Sequence, residues 1–378
     1  MERYSVKLEN FFQDDRTGVF ARIANLRVTG QSAEGLLKVS RHNIESFSNM
    51  SSPINEVYIQ LTFERINEID SDNEKRNRFI NRYLRPKIRT NKINVPLIEI
   101  GIDKTPTEQM MEQISGFVVD IIYNHPHIHI VVPPKITMPK DIHPTVKETT
   151  FQRQIVILLE TLRSFSDRAQ LAYFVPDYIP RVAIPRLIDF YVNNCGDEAL
   201  LIVDMDGKRF SAGGYSDVSL IHRVMYSMNI EDYAIYLFNH KGRKRSGKAV
   251  PSEDLLALLG GASFVGPTHK VLPLPREVLE RVRGLSGKIF NKEDFLFYPE
   301  KIAPNIEEFE EFSRIGRNRR RLLEIFNDIN LNMCAYELTE DPISSISNLT
   351  RHEFKETLKT IAKKRNTILR QQTLVDLI

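Results

Sequence analysis

The sequence predicts an α/β chain of the (β/α)8 (TIM) barrel class, with an N-terminal β-hairpin and a C-terminal helical extension. Three observations carry that expectation. Eight short β-rich runs recur along residues 36–266: LLKVS (36–40), VYIQLTF (57–63), PLIEIGI (96–102), VVDIIYN (118–124), QLAYFV (170–175), LLIVDM (200–205), YAIYLFN (233–239) and ASFVG (262–266). Several are almost wholly apolar, as strands buried on both faces must be. Stretches of helical period separate them, and the β signal stops near residue 300. An open doubly wound sheet is the competing architecture, because alternation alone neither counts strands nor closes them. The expected division is 1–300 for the barrel with its hairpin and 301–378 for the helical extension.

Taken in order, YSVKLENF and ARIANLRVTG alternate and turn on Asp and Gly, which predicts the hairpin. KRNRFINRYLRPKI follows the second run and TPTEQMMEQIS the third. After the fourth comes TVKETTFQRQIVILLETLRSF, where Ile155, Leu158, Leu159 and Leu162 form one apolar stripe. IPRLIDFYVNNCG, SDVSLIHRVMYSM, PSEDLLALLGG and PREVLERVRG follow the remaining runs. PSEDLLALLGG opens on Pro with acidic residues in its first turn and stops at Gly260 and Gly261. The Pro-rich segment 125–148 reads as an excursion after the fourth strand. FEEFSRIGRNRRRLLEIFNDIN and RHEFKETLKTIAKKRNTILRQQ read as amphipathic helices joined by LTEDPISSISN.

Composition bounds the function classes. Of 378 residues, 42% are hydrophobic and 27% charged, as in ordinary globular chains. No apolar run is long enough to span a bilayer, and the first residues mix charges without a signal-like apolar stretch, so a cytoplasmic location is expected. Cys195 and Cys334 are the only cysteines, too few for a disulfide framework or a Cys-based zinc site. A net charge of +3 does not by itself imply nucleic acid. No cofactor and no metal are expected.

In a barrel, chemistry sits where strands end. That rule selects Asp103 after the third run, Asn124 and His125 after the fourth, and Asp177 after the fifth. It selects Asp204, Asp206, Lys208 and Arg209 after the sixth, Asn239, His240 and Lys241 after the seventh, and His269 after the eighth. Asp204, Asp103 and Asp177 are the candidate catalytic carboxylates; the others from Asp206 to Lys241 are candidate substrate-binding residues. Asp204 and Asp206 stand two apart, a spacing that aims both side chains the same way and suits an acid–base pair. The bland reading is an Asp-Gly turn with Asp206 in it. Lys208 and Arg209 are expected to keep Asp204 ionised.

Lys241, Arg243, Lys244, Arg245 and Lys248 place five cations in eight residues with two glycines, an expected anion-binding loop. It lacks the spacing of a Walker A motif, and a merely solvated basic loop is the alternative. His127 and His129 would share one face of a strand, half a metal site at most beside His125. In 301–378, 13 Lys/Arg stand against 12 Asp/Glu, but the cations are grouped at 317–321 and 363–370. Either a nucleic-acid face or ordinary ion-paired helices fits.

RTGVFARIANLRVTG (16–30) and YAIYLFNHKGRKRSGKAVPSEDLLALLGGASFVGPTHK (233–270) resemble the opening strands and the seventh and eighth strand units of tRNA-guanine transglycosylases. The resemblance implies a barrel that exchanges or binds a base of a nucleic acid, tRNA or DNA. The departures are specific. No Asp-Ser-Gly-Gly counterpart is present, Phe264 is followed by Val265 where the family has its nucleophilic Asp, and the family's zinc ligands are missing. The resemblance therefore implies a divergent member with altered chemistry. The alternatives are a barrel enzyme for a small phosphorylated metabolite and a catalytically silent binding subunit.

Overall fold

A computed structural model describes residues 4–40, 52–165, 171–242, 247–269 and 287–375. The chain opens with an antiparallel meander, β1 (Tyr4–Asp14), β2 (Val19–Val28) and β3 (Gln31–Gly35), in the order β1-β2-β3. The predicted hairpin thus gains a third strand. Gly18, with φ +84, makes the first turn, a left-handed conformation that side-chain-bearing residues resist.

Parallel strands follow. β4 is Leu37–Lys38, β5 is Ile54–Thr62, β6 is Ile93–Gly101 and β7 is Lys135–Thr137. β8 is Tyr173–Val175, β9 is Ala199–Asp204, β10 is Tyr233–Phe238 and β12 is Phe264–Val265. Between β10 and β12 lies β11 (Val250–Pro251), which joins β13 (Lys288–Asn291) and β14 (Leu296–Pro299) in a small antiparallel sheet. One parallel sheet has the order β5-β6-β7 and the other β4-β12-β10-β9-β8. A parallel bridge between Val131 and Leu171 links them. The earliest parallel strand, β4, pairs with the latest, β12. Among the described residues no ladder joins β4 to β5.

Helices connect the strands. They are α1 (Phe63–Asp70), α2 (Asn73–Phe79), α3 (Glu108–Phe117), α4 (Pro144–Phe165), α5 (Ile184–Cys195), α6 (Gly214–Ser227) and α7 (Glu253–Leu258). Asp72 caps α2 by accepting from the Glu74 and Lys75 amides, Thr107 caps α3, and Ser252 caps α7. Four more helices end the chain: α8 (Ile306–Ser313), α9 (Arg319–Glu340), α10 (Pro342–Asn348) and α11 (His352–Val375). The predicted polar joint 338–348 is therefore largely helical. PREVLERVRG lies outside the described residues.

The fourth predicted strand is wrong. Val118–Tyr123 continues α3 as a π-helical segment, and the strand occupying that place is β7, inside the stretch read as an excursion. VVDIIY is buried at nearly every position, and a buried helix turn and a buried strand share that pattern. Pro133, Pro134 and Pro139 flank β7, and proline cannot donate to a ladder, so the strand is short and its signal faint. Asn124 and His125 consequently form a turn rather than a strand end, and His127 and His129 are not on a strand.

The meander fixes which end of the parallel strands is free. Tyr4 Oη donates to the Leu171 carbonyl, Arg22 Nε to the Tyr233 carbonyl (3.0 Å), and the Leu8 amide to Asp232 Oδ1 (2.9 Å). All three acceptors lie where β8 and β10 begin. The carboxyl ends of the strands therefore open on the opposite side.

Candidate functional site at the carboxyl ends of the parallel strands

Alternation along β5 builds one wall. Val57, Ile59 and Leu61 are buried apolar residues, and the intervening Glu56 and Tyr58 face polar groups of neighbouring strands. Glu56 accepts from the Tyr236 hydroxyl of β10 and meets His269 Nε2 at 2.5 Å. Tyr58 donates to Glu99 Oε2 of β6 (2.9 Å) and stacks on the His269 ring at a centroid distance of 4.3 Å. Thr137 of β7 donates to Glu99 Oε1 at 2.9 Å. Polar residues on four strands thus converge with His269 in the space between the strands.

At the centre is Lys135 of β7. Its Nζ lies 2.5 Å from Asp204 Oδ2, pairs with Asp177, and is 4.0 Å from Glu99 Oε1. Three carboxyl groups surround one ammonium. Asp204 Oδ1 accepts from the Asp206 amide (2.9 Å) and from Asn239 Nδ2 (3.3 Å). Asn239, fully buried with φ 54, in turn accepts from the His269 amide at 3.0 Å. Asn tolerates that left-handed backbone, and its amide then orients Asp204.

Burial pushes the Asp204 carboxyl up to about 6, with Asp177 adding to the rise and Lys135 opposing it. Burial also works against the Lys135 ammonium, yet Asp204 and Asp177 hold its proton more tightly than usual. The Lys135 amine is therefore charged at neutral pH, poorly suited to attack a carbonyl and well suited to fix carboxylates. A small cavity of about 160 Å³ reaches this group, lined by Asp177, Asp204, Arg181, Lys208 and Asp217 among others.

The predicted site residues divide. Asp204, Asp177 and Asn239 meet in one constellation, and Lys208 lines the cavity beside it. Asp206 contributes its backbone amide to Asp204, and its φ of 49 belongs to the Asp-Gly turn. Asp103 is exposed past the end of β6 and takes no part in these bonds. His240 faces away from Asp204: its Nδ1 meets Asp254 Oδ1 at 3.0 Å and its Nε2 accepts from the Phe210 amide at 3.2 Å. Lys241 is half-buried, and its amide donates to the Lys208 carbonyl. Arg243, Lys244 and Arg245 lie outside the described residues.

The expected partners of Asp204 were also misassigned. Arg209 lies 3.5 Å from Glu253, and Lys135, 69 residues from Asp204 in the chain, supplies the pairing charge. Sequence reasoning missed Lys135, Glu56, Tyr58 and Glu99. The legible signal was a charged residue interrupting an apolar run, as Glu99 does in PLIEIG and Lys135 in PPKIT. His125 and His127 have ring centroids 5.8 Å apart, but among the described residues no group of three metal-ligating side chains gathers. No described helix is long and apolar enough to cross a membrane.

No protein-family model matches the chain, and no curated protein matches it.

Proposed function

We propose that the eight parallel strands form a (β/α)8 barrel and that the chain is a divergent, transglycosylase-like protein acting on a base of a nucleic acid or nucleotide. What supports the barrel is the bridge between the two parallel sheets together with the pairing of the earliest strand with the latest. What carries the functional reading is one observation: Asp204, Asp177 and Glu99 surround Lys135 at the strand ends. Carboxyl groups in excess of cations favour positive charge developing nearby.

Glycosidic exchange develops such a charge at the ribosyl C1′ as the base departs with the bonding electron pair. An ionised Asp204 either captures C1′ as an ester, which the incoming base nitrogen then displaces, or stabilises the cation without bonding to it. Both versions need the carboxylate form. Asn239 and the Asp206 amide orient it, and Lys135 keeps it available as an anion in a buried place. Asp177, half-buried, is the carboxyl group nearer to solvent.

The test is exchange of labelled free purine bases into tRNA and into DNA by the wild-type chain and by Asp204→Asn. The expected result is label incorporation by the wild type and none by a normally folded variant. Equal incorporation by both would remove the carboxylate from the chemistry. No incorporation into either polymer by the wild type would sink the exchange reading.

A further inference from the structure

A second and larger cavity, of about 720 Å³, opens beside the carboxylate constellation and shares Glu99 and Thr137 with it. That volume lies within the range of roughly 300–1,000 Å³ usual for small-molecule sites. Its far wall comes from α1, α2 and the π-helical segment Ile80–Leu84 that extends α2. Arg65, Arg78 and Arg82 line it together with the rings of Phe79 and Tyr83.

The charges here are unbalanced. Arg65 on α1 is paired with Glu68 at 2.6 Å, and Arg76, on α2 with Arg78, is paired with Asp120. Arg78 and Arg82 are exposed and have no acidic partner among the described residues. They stand four apart, where like charges on a helix repel and cost stability. A π-helical segment is itself a costly local geometry that recurs at functional sites. Two unneutralised guanidinium groups, Arg78 at the end of α2 and Arg82 on the π-helical segment that extends it, border a concave space with an aromatic wall and suit a dianionic or diester phosphate. Phe79 and Tyr83, with ring centroids 5.3 Å apart, offer flat apolar surface for a base or sugar next to that phosphate.

We propose that this cavity is a nucleotide phosphate subsite in which Arg78 and Arg82 grip the phosphate. The ribosyl group attached to it then extends past Glu99 towards Asp204. The direction of that extension rests on the function proposed above; the phosphate grip does not. The phosphate is supplied either by a free nucleotide or by the backbone of a single strand, and the two sources present the same oxygen geometry to the arginines.

The experiment is equilibrium binding at fixed low salt with four probes: inorganic phosphate, the common ribonucleoside 5′-monophosphates, their parent nucleosides, and a single-stranded decamer. Arg78→Ala and Arg82→Ala should each weaken binding of the phosphate-bearing probes about tenfold. Nucleoside binding should be unchanged, and the melting temperature should not fall, because both side chains are exposed and repel each other. The double Lys variant should recover part of the loss, since it keeps the charges but not the bidentate fork. Tighter binding of the decamer than of the monophosphates assigns the phosphate to a polymer, and the reverse assigns it to a free nucleotide. Failure of every phosphate-bearing probe to bind the wild type, or equal binding to wild type and the Arg78→Ala/Arg82→Ala double variant, overturns the subsite. Those results leave the Asp204→Asn exchange assay untouched, and an active Asp204→Asn with an intact arginine effect would overturn only the catalytic reading.

Discussion

Asp204 is buried and held by three donors, so its protonation links stability and the proposed exchange activity in opposite senses. Its folded-state pKa lies above the usual carboxylate value, which means the native state binds more protons than the unfolded chain between about pH 4 and 6. The stability it contributes is complete below the ordinary Asp value and is lost as pH rises through about 6. Activity that needs the carboxylate grows over the same interval. Turnover should therefore show an acid limb centred near pH 6. Comparing chemical denaturation at pH 5 and 7 should show a smaller pH dependence in Asp204→Asn than in the wild type. Lys135→Met removes the compensating cation, strands two buried carboxyl groups, and should cost about 3–5 kcal/mol. If Lys135→Met melts like the wild type, the ammonium is not holding the constellation together. The milder Lys135→Arg should keep the fold and shift the acid limb, because a guanidinium cannot repeat all the contacts of a single Nζ.

At the scale of elements, two connections set the shape of the site. The α2 helix and the π-helical segment that extends it bring Arg78 and Arg82 to the large cavity, and Asp72 starts α2 by accepting from two amides at 2.8 and 3.2 Å. Asp72→Ala should cost about 1 kcal/mol by thermal melting, the usual value of such a cap. The end of α7 is less forgiving. Gly261 has φ +114, and a Cβ there would lie 2.4 Å from His222 Nε2, which meets the Gly261 carbonyl at 2.9 Å. His222 is buried, and burial lowers its pKa to about 3, so it stays neutral and its hydrogen bonds are fixed in place. Gly261→Ala should lose at least about 2 kcal/mol, through backbone strain and overpacking together. A variant that melts within a degree of the wild type would contradict that packing.

Across the whole molecule, the C-terminal helices are built into the core. The Leu36 amide donates to Thr339 Oγ1 at 2.9 Å, the Phe290 amide to Asn327 Oδ1 at 2.8 Å, and Arg365 lies 4.4 Å over the Phe20 ring. Gly35 lets Thr339 approach closely, and Gly18 leaves room for the backbone at Leu358. Leu331, Leu338, Phe354 and Leu358 are almost wholly buried. A chain cut at residue 300 exposes the apolar surface these residues cover and should aggregate rather than melt cooperatively. A soluble 1–300 fragment with a sharp thermal transition would show that the helices are dispensable to the fold.

The strand ends were legible because burial and turn chemistry are local. Runs such as LLIVD and YAIYLF are apolar enough to be read as buried strands, and the placement rule then reached Asp204, Asp177 and Asn239 directly. Where a run carried no local discriminator, reading failed: VVDIIY is buried at every position but Asp120, and it is helical as the continuation of α3. Lys135 was out of reach for a different reason. Its meaning comes from Asp204 and Asp177, 69 and 42 residues away, and no window along the chain brings those charges together. The same holds for Glu56 with His269, 213 residues apart, and for Arg78 and Arg82 facing Glu99 across a cavity. The sequence by itself determined which segments are buried and where most strands stop, since those depend on each residue's own transfer free energy and its near neighbours. Only the tertiary structure decided which charges meet, because an ion pair is set by distance in space and the parallel strands, not the chain, supply that distance.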